Sequence, residues 1–577
     1  MIMKTSHPSS AIKARRVFVS PDFVVKGPES LIEYFNSLIN RTFKTTKDLE
    51  QWLFDRSELA SILEEELAWR YIRLNCDTTE KSLAEKYEDY VTRVEPAVQK
   101  HFNLLDKKLL NSPLSEQLDE KKYEVFKRAL KSRVEIFREK NLPIISALQV
   151  EEQKYGTISS RMTIPHQGKE LTLQEAANFL KEPDPEVRKD FFFKINDRRL
   201  EDADSLQDLL GSLIDKRHQL ALNAGFSDYS KYKWIEMGRF DYTAKDCFSF
   251  HDSIALQVCP LVDQIMEQRK KKLNLRKLRP WDLEVDQDGK PPLKPFKKVD
   301  DLVKRSIKSF RKIRPDYGSF LETMETGGFL DLDSRIGKAP GGFNYPLYES
   351  NIPFIFMNAT GNLRDLETMF HEGGHAIHSF LSSGHKLVEY KELPAEVAEL
   401  ASMSMELISM DQWHHFFPVE ADLKRAKRTQ IEGIIQILPW IAAIDKFQHW
   451  LYTNKDNSGE DRNRTWHDIM KVFGSNVVDW KGLEKYHDFM WQKQLHIYEV
   501  PFYYIEYGIA QLGAIAVWKK YKENPDKALD QFEHALSLGY SVPIPEIYKA
   551  AGISFDFSEN YVKELIDFVS NELQNIQ

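Results

Sequence analysis

The chain has 577 residues, more than one hydrophobic core usually holds, so two or more lobes are expected. Its 80 basic and 88 acidic side chains leave a net charge of -8, which argues against a nucleic-acid binder built on global charge, and nothing in the composition favours a membrane. Glycine is sparse at 25 residues, and long runs alternate charged and apolar residues at helical spacing, so the chain reads as mainly α.

The first twenty residues are basic and serine-containing but lack the apolar core of an export signal; a transit peptide is the minor alternative. From Ser30 to about Lys140 the pattern predicts a succession of amphipathic helices, Leu59 to Leu74 and Tyr123 to Arg138 among them, joined by short polar turns and carrying no cofactor motif. The stretch from Ile144 to Gly168 is richer in threonine, valine and isoleucine and predicts a strand or hairpin before helices resume at Thr172. A boundary near here would separate an N-terminal helical lobe, residues 1–170, from the remaining 171–577. Cys76, Cys247 and Cys259 are too far apart for a metal motif and read as reduced thiols in the cytoplasm. The basic run from Arg269 to Arg279 is a solvated charged face, as are His414-His415 and Lys424 to Arg428. The acidic turn from Asp286 to Pro292 lacks the spaced ligands and terminal glutamate of a calcium loop, so it reads as an exposed turn. No internal repeat is evident.

The informative region begins near residue 338. The Gly341-Gly342 pair permits either a plain turn or a loop whose backbone approaches a bound molecule. Pro353 to Met357 predicts a short strand, which as an edge would pair with an extended peptide; the turn Asn358 to Gly361 and an amphipathic helix from Leu363 to Leu381 follow. Asn362 is placed to cap that helix, and Leu366, Met369, Phe370 and Phe380 to anchor it. Within it runs H-E-G-G-H, with His371 and His375 four apart on one face and Glu372 beside them. Two neutral imidazoles supply two of the three protein ligands of a catalytic zinc, and an adjacent glutamate can take a proton from water activated by the metal. Gly373 and Gly374 each cost such a helix about 1 kcal/mol against alanine, which predicts a close backbone approach at this point.

Spacing then excludes whole classes. A thermolysin-like pattern needs glutamate where this chain has Pro394, and a metzincin needs glycine and histidine where it has His378 and Leu381. From Glu392 to Leu407 the pattern instead predicts a helix beginning near Pro394 that carries Glu396, Glu399 and Glu406 on one face. A carboxylate stripe on so apolar a helix needs a partner, and a metal with its histidines is one. Glu399 is the candidate third ligand; Glu396 and Glu406 are candidates to support the ligands from behind, and His378 has a supporting or packing role.

H-E-G-G-H-A-I-H, followed about two dozen residues later by E-L-A-S-M-S-M-E, resembles the oligoendopeptidase F branch of the thimet oligopeptidase family of zinc metallopeptidases. The segments K-A-P-G-G-F-N-Y from Lys338 and P-F-I-F-M-N-A-T-G-N from Pro353 share the likeness, as does H-I-Y-E-V-P-F-Y-Y-I-E-Y-G-I-A from His496 to Ala510. The resemblance implies Glu399 as the zinc-binding glutamate, Glu372 as the general base, and a role for His496 and one or more of Tyr503, Tyr504 and Tyr507 in holding substrate and stabilising the tetrahedral intermediate. Read physically, Pro501 suits a first helical turn, after which Tyr503, Tyr507 and Gln511 share a face with Tyr504 adjacent. The resemblance also implies that the N-terminal helices roof a channel that limits substrates to short peptides.

The expectation is therefore a mainly α, multi-helical, two-lobed zincin-type peptidase with a small β-sheet near the HExxH helix and its catalytic core around residues 330–515. It would be a cytoplasmic zinc metalloendopeptidase with one zinc ion, acting on short peptides, with substrate contact at Gly341 and Gly342. The rival readings are a carboxydipeptidase on the same scaffold and a non-catalytic peptide-binding module.

Overall fold

The structure is a computed structural model and describes residues 16–335, 337–339 and 341–576. The first fifteen residues of the basic opening stretch, on which the export and transit-peptide readings rest, lie outside the described residues, as does Pro340. Helices make up nearly all the regular structure, with five short strands among the described residues: β1 (Thr163–His166), β2 (Lys169–Thr172), β3 (Leu330–Asp333), β4 (Phe343–Tyr345) and β5 (Phe354–Ala359). The chain forms two compact units. The first gathers residues up to Phe137 with Leu293–Ala426 and Ala510–Phe555; the second gathers Arg138–Pro292, Lys427–Ile509 and Asp556–Gln577. No described helix is long and apolar enough to cross a membrane.

In the first unit the helix Thr46–Cys76 starts on a capping box in which Thr45 and Asp48 satisfy each other's backbone amides. It buries Leu49, Trp52, Leu53, Leu59 and Ile62, and the indole of Trp52 donates to the Leu38 carbonyl at 2.9 Å. Arg56, 3% exposed on the same helix, pairs with Asp106 at 2.7 Å and with Glu389, so the segment just ahead of the helix Ala395–Ser409 is tied to it by a buried ion network.

The three-stranded sheet has the order β3-β5-β4, with β3 parallel and β4 antiparallel to β5. The strand expected as a possible edge, β5, is thus the central one. Phe354, Ile355, Phe356 and Met357 are apolar on both faces and all buried, which requires cover on each side. The edge positions belong to β3 and β4, and Gly341-Gly342 runs directly into β4. Lys338 closes the preceding loop, its Nζ donating to the carbonyls of Asp331 and Asp333 at 2.9 Å.

The HExxH helix spans Leu363–Ser382 and opens on the expected cap: Asn362 accepts from the Asp365 amide and Asp365 from the Asn362 amide, each at 3.0 Å. Leu366, Met369 and Phe370 are fully buried, while Phe380 is half-buried and stacks on Phe320. The two glycines answer to two neighbours. The Phe310 ring lies against Gly373, whereas a Cβ on Gly374 would meet the Ser402 Cα at 2.6 Å and the Ala401 carbonyl oxygen at 2.7 Å. Backbone therefore touches backbone where the helix Ala395–Ser409 crosses. Gly374→Ala is expected to destabilise the unit by about 1–3 kcal/mol through overpacking, outweighing the helix-propensity gain. A thermal melt checks this; an unchanged or raised Tm would contradict the close approach.

In the second unit the stretch from Ile144 to Gly168 does include a hairpin strand, but its larger part belongs to a helix, Leu142–Ser160, whose buried Leu148 and Tyr155 stand seven apart, a helical repeat. The hairpin is confined to β1 and β2, joined by Gln167 and Gly168 at φ +47° and +77°, and Thr172 then caps the next helix. The turn at Asp286 is ordered by its own carboxylate, which accepts from the amides of Asp288 and Lys290. The later helix begins at Tyr504 rather than at Pro501, because Phe502 sits at φ +67°, a left-handed conformation that a right-handed helix cannot include.

Candidate metal centre and aromatic cluster

His371 and His375 project from one face of their helix with rings 4.9 Å apart and nearly perpendicular. The crossing at Gly374 brings Glu399 to both: its Oε2 lies 3.2 Å from His371 Nε2 and 3.6 Å from His375 Nε2. One ligand atom from each of the three residues falls within 4.8 Å of the others. A tetrahedral metal with bonds of about 2.0–2.2 Å separates its nitrogen and oxygen donors by roughly 3.3–3.5 Å, so two imidazoles and a carboxylate at these distances fit a zinc-type ion.

The surrounding residues fix this set. Glu406 Oε1 faces His371 Nδ1 at 2.7 Å, which holds a ring proton on Nδ1 and turns Nε2 toward Glu399. Ser402 Oγ donates to Glu399 Oε2 at 3.0 Å. The Asn344 side chain, on edge strand β4, donates to the Glu372 carbonyl at 3.2 Å and so pins the strand to the helix. His378 is fully buried and outside the ligand group. Glu396 is buried on the same helix as Glu399, and its backbone carbonyl accepts from the Tyr548 hydroxyl at 3.0 Å.

Burial and charge divide the protons among these groups. Burial pushes the His375 imidazole down to about 4, against the pull of Glu399, and so keeps it neutral. Burial acts upward on Glu399, but His375 and His371 outweigh it and hold the carboxyl at about 2. His371 is raised well above the usual imidazole value, because Glu399 and Glu406 overcome the burial that opposes its charge. Glu372, 5% exposed, is pushed up to about 7 by burial, with the neighbouring Glu399 and Glu406 adding to the rise and His371 opposing it.

His496 and the three tyrosines form one cluster in the second unit. The His496 ring stands 6.1, 4.9 and 5.8 Å from those of Tyr503, Tyr504 and Tyr507. Tyr507 lies 5.3 Å from Tyr503 and 5.5 Å from Tyr504. Tyr504 is buried, whereas Tyr503 and Tyr507 are half-buried. Sequence reasoning missed the chain that sets the histidine tautomer. Trp440 Nε1 donates to Gln494 Oε1 at 2.9 Å, which leaves the Gln494 amide nitrogen to donate to His496 Nδ1 at 2.7 Å. His496 Nδ1 is then an acceptor and Nε2 carries the proton. Arg239 anchors the start of the helix through Glu506 at 2.7 Å and the Phe502 carbonyl. Asn344, Gln494 and Trp440 follow no spacing rule; Ser402, one turn from Glu399, had a signal that could have been read.

A mainly α chain of two compact units, with an HExxH helix against a small sheet and a glutamate-bearing helix across it, has the fold of a zincin-type peptidase. The chain belongs to peptidase family M3, in its oligoendopeptidase F branch: the description Peptidase family M3 matches residues 178–566, and the Peptidase M3 N-terminal domain matches residues 25–137. M3 is a family of metallopeptidases. The chain is 23% identical over 411 residues to oligopeptidase PepF of Bacillus subtilis (strain 168), covering 68% of this chain and 57% of that protein. It is likewise 23% identical over 407 residues to an oligoendopeptidase F homolog of Borreliella burgdorferi, covering 69% and 65%. These two alignments span less than two thirds of either relative; one with the oligoendopeptidase F homolog of Mycoplasma genitalium, at 22% identity, covers 95% of both chains. Among solved structures, PZ peptidase A with inhibitor 2 superposes with a TM-score of 0.89 at 23% identity over 96% of this chain and 99% of that one. Oligoendopeptidase-F from Enterococcus faecium does so with a TM-score of 0.64 at 15% identity over 95% and 97%. Both are likenesses of fold.

Proposed function

We propose that this chain is a zinc-dependent metalloendopeptidase that hydrolyses short oligopeptides. The observation that carries the proposal is the convergence of His371, His375 and Glu399 with the buried carboxyl of Glu372 next in sequence to the first ligand. When bound there, one zinc ion would supply Lewis acidity, lowering the pKa of water and polarising the scissile carbonyl. Glu372 takes a proton from the attacking water and passes it to the leaving amine. His496, with its proton on Nε2, and one or more of Tyr503, Tyr504 and Tyr507 donate to the oxygen on which negative charge develops; this role rests on the family resemblance and on the donor geometry of the cluster. The substrate backbone adds to edge strand β4, with Gly341 and Gly342 giving it room. Three cysteines without disulfides fit a cytoplasmic setting.

The test is cleavage of an internally quenched peptide of about ten residues, blocked at both ends, with and without chelator. Internal cleavage abolished by the chelator is expected. A carboxydipeptidase would spare the blocked peptide and cut one with a free C-terminus, and metal-loaded protein that cuts no peptide in a library would sink the enzymatic reading. Phenylalanine at 503, 504 and 507 in turn is expected to identify the oxyanion donor as the variant that keeps its metal and loses about 10²–10³-fold in kcat. Three variants with full turnover would remove the tyrosines from the mechanism.

A further inference from the structure

The second unit holds another set of metal-ligand side chains, which no sequence motif marks. Cys247 and His251 stand four residues apart on the helix Ala244–Gln257, and Asp445 and His449 stand four apart on the helix Glu420–Thr453. Each pair shares a helix face. All four are buried, with exposures of 1%, 1%, 0% and 7%. One ligand atom each from Cys247, Asp445 and His449 lies within 4.8 Å of the others. His449 Nε2 is 3.5 Å from Asp445 Oδ2, so the imidazole and the carboxylate face each other. His251 Nε2 stands 2.8 Å from the same Oδ2.

Three buried polar atoms in this cluster lack hydrogen-bond partners: Asp445 Oδ1, His449 Nε2 and His251 Nδ1. A carboxylate with no exposure and one unpaired oxygen is costly, as is a buried imidazole nitrogen without a partner. A cation between Asp445 and His449 would satisfy two of the three, Asp445 Oδ1 and His449 Nε2.

We propose that Cys247, Asp445 and His449 bind a structural zinc ion, with His251 donating to Asp445 Oδ2 from behind and Oδ1 turned to the metal. The charges support it: one thiolate and one carboxylate balance a divalent ion, and the neutral imidazole completes a buried centre without net charge. Thiolate, imidazole and carboxylate together suit zinc better than calcium or magnesium, which take oxygen ligands. Binding displaces the thiol proton to solvent. The site also has something to hold in place. Gln448, next to His449, accepts from the Phe502 amide at 2.7 Å, and the Phe502 ring stands 5.1 Å from that of His449. The ion thus fixes the left-handed turn from which Tyr503, Tyr504 and Tyr507 follow. Linear spacing hides the site, since its ligands come from two helices nearly two hundred residues apart.

The test uses the full chain expressed in zinc and, separately, in cobalt medium, because a buried site loads during folding. Wild-type protein is expected to hold two metal equivalents by elemental analysis, and His375→Ala, which disables the HExxH group and leaves every residue of this site intact, is expected to retain one. The cobalt forms of both are expected to show thiolate-to-cobalt charge-transfer absorption in the near ultraviolet, and Cys247→Ser is expected to abolish it. The HExxH group contains no thiol, so the band separates this site from that one even if its reading fails. Absence of the band from cobalt-grown wild type overturns the proposal, as does a band that persists in folded Cys247→Ser. The wild-type measurement stands whether or not either variant folds.

Discussion

Glu372→Gln is expected to keep the metal and lose about 10²–10⁴-fold in kcat, the range for removal of a positioned general base. Glutamine keeps the size of the side chain, and the helix–strand contact at this residue runs through its carbonyl to Asn344, which the substitution does not touch. What changes is the ability to accept a proton. Burial, reinforced by Glu399 and Glu406, lifts the Glu372 carboxyl to about 7 in the metal-free protein, and a bound cation would draw it lower. The group must be ionised to act as base, so wild-type kcat/KM is expected to fall as pH drops through an acid limb at or below pH 7. The residual activity of the glutamine variant should lack that limb. Elemental analysis beside the pH profile decides the matter: a variant that retains both metal and wild-type turnover would require another base.

The metal helix was legible because each of its features is local. The Asn362 cap, the apolar stripe through Leu366, Met369 and Phe370, and the costly glycine pair all lie within one helix, and the crossing backbone at Gly374 is the neighbour that such a glycine demands. The helix bearing Glu399 was legible for the same reason. What was not legible depends on partners remote in sequence. Local sequence marks Phe354 to Met357 as a strand, but only pairing with β3 and β4 makes it central and leaves those two as the edges. The hairpin expected between Ile144 and Thr172 is present, but composition did not show that it is confined to the end of the stretch; Leu148 and Tyr155, before it, find their burial at a helical repeat. The start of the helix after Pro501 is displaced by the left-handed Phe502, whose carbonyl is held by Arg239, more than two hundred and fifty residues earlier. The hydrogen bonds of Ser402, Asn344 and Gln494 likewise follow from tertiary placement.

Glu399→Ala is expected to release the metal and with it all measurable turnover. Two imidazoles remain, but the substitution removes the only carboxylate in the ligand group and the charge that His375 and His371 hold ionised. Supporting residues give the scale: loss of a hydrogen-bond partner behind a ligand typically costs 10–100-fold in metal affinity or activity, so loss of the ligand itself should exceed about 100-fold in affinity. Glu406→Gln supplies the internal comparison. It weakens the hold on His371 Nδ1 without removing a ligand and is expected to fall within that 10–100-fold range. Competition of each variant against a chelator of known zinc affinity orders the two effects. If Glu399→Ala binds as tightly as Glu406→Gln, the third ligand lies elsewhere on the acidic helix or just ahead of it. Glu396 and Glu392 would then be the residues to replace, even though the distances of 3.2 and 3.6 Å to the two histidines favour Glu399.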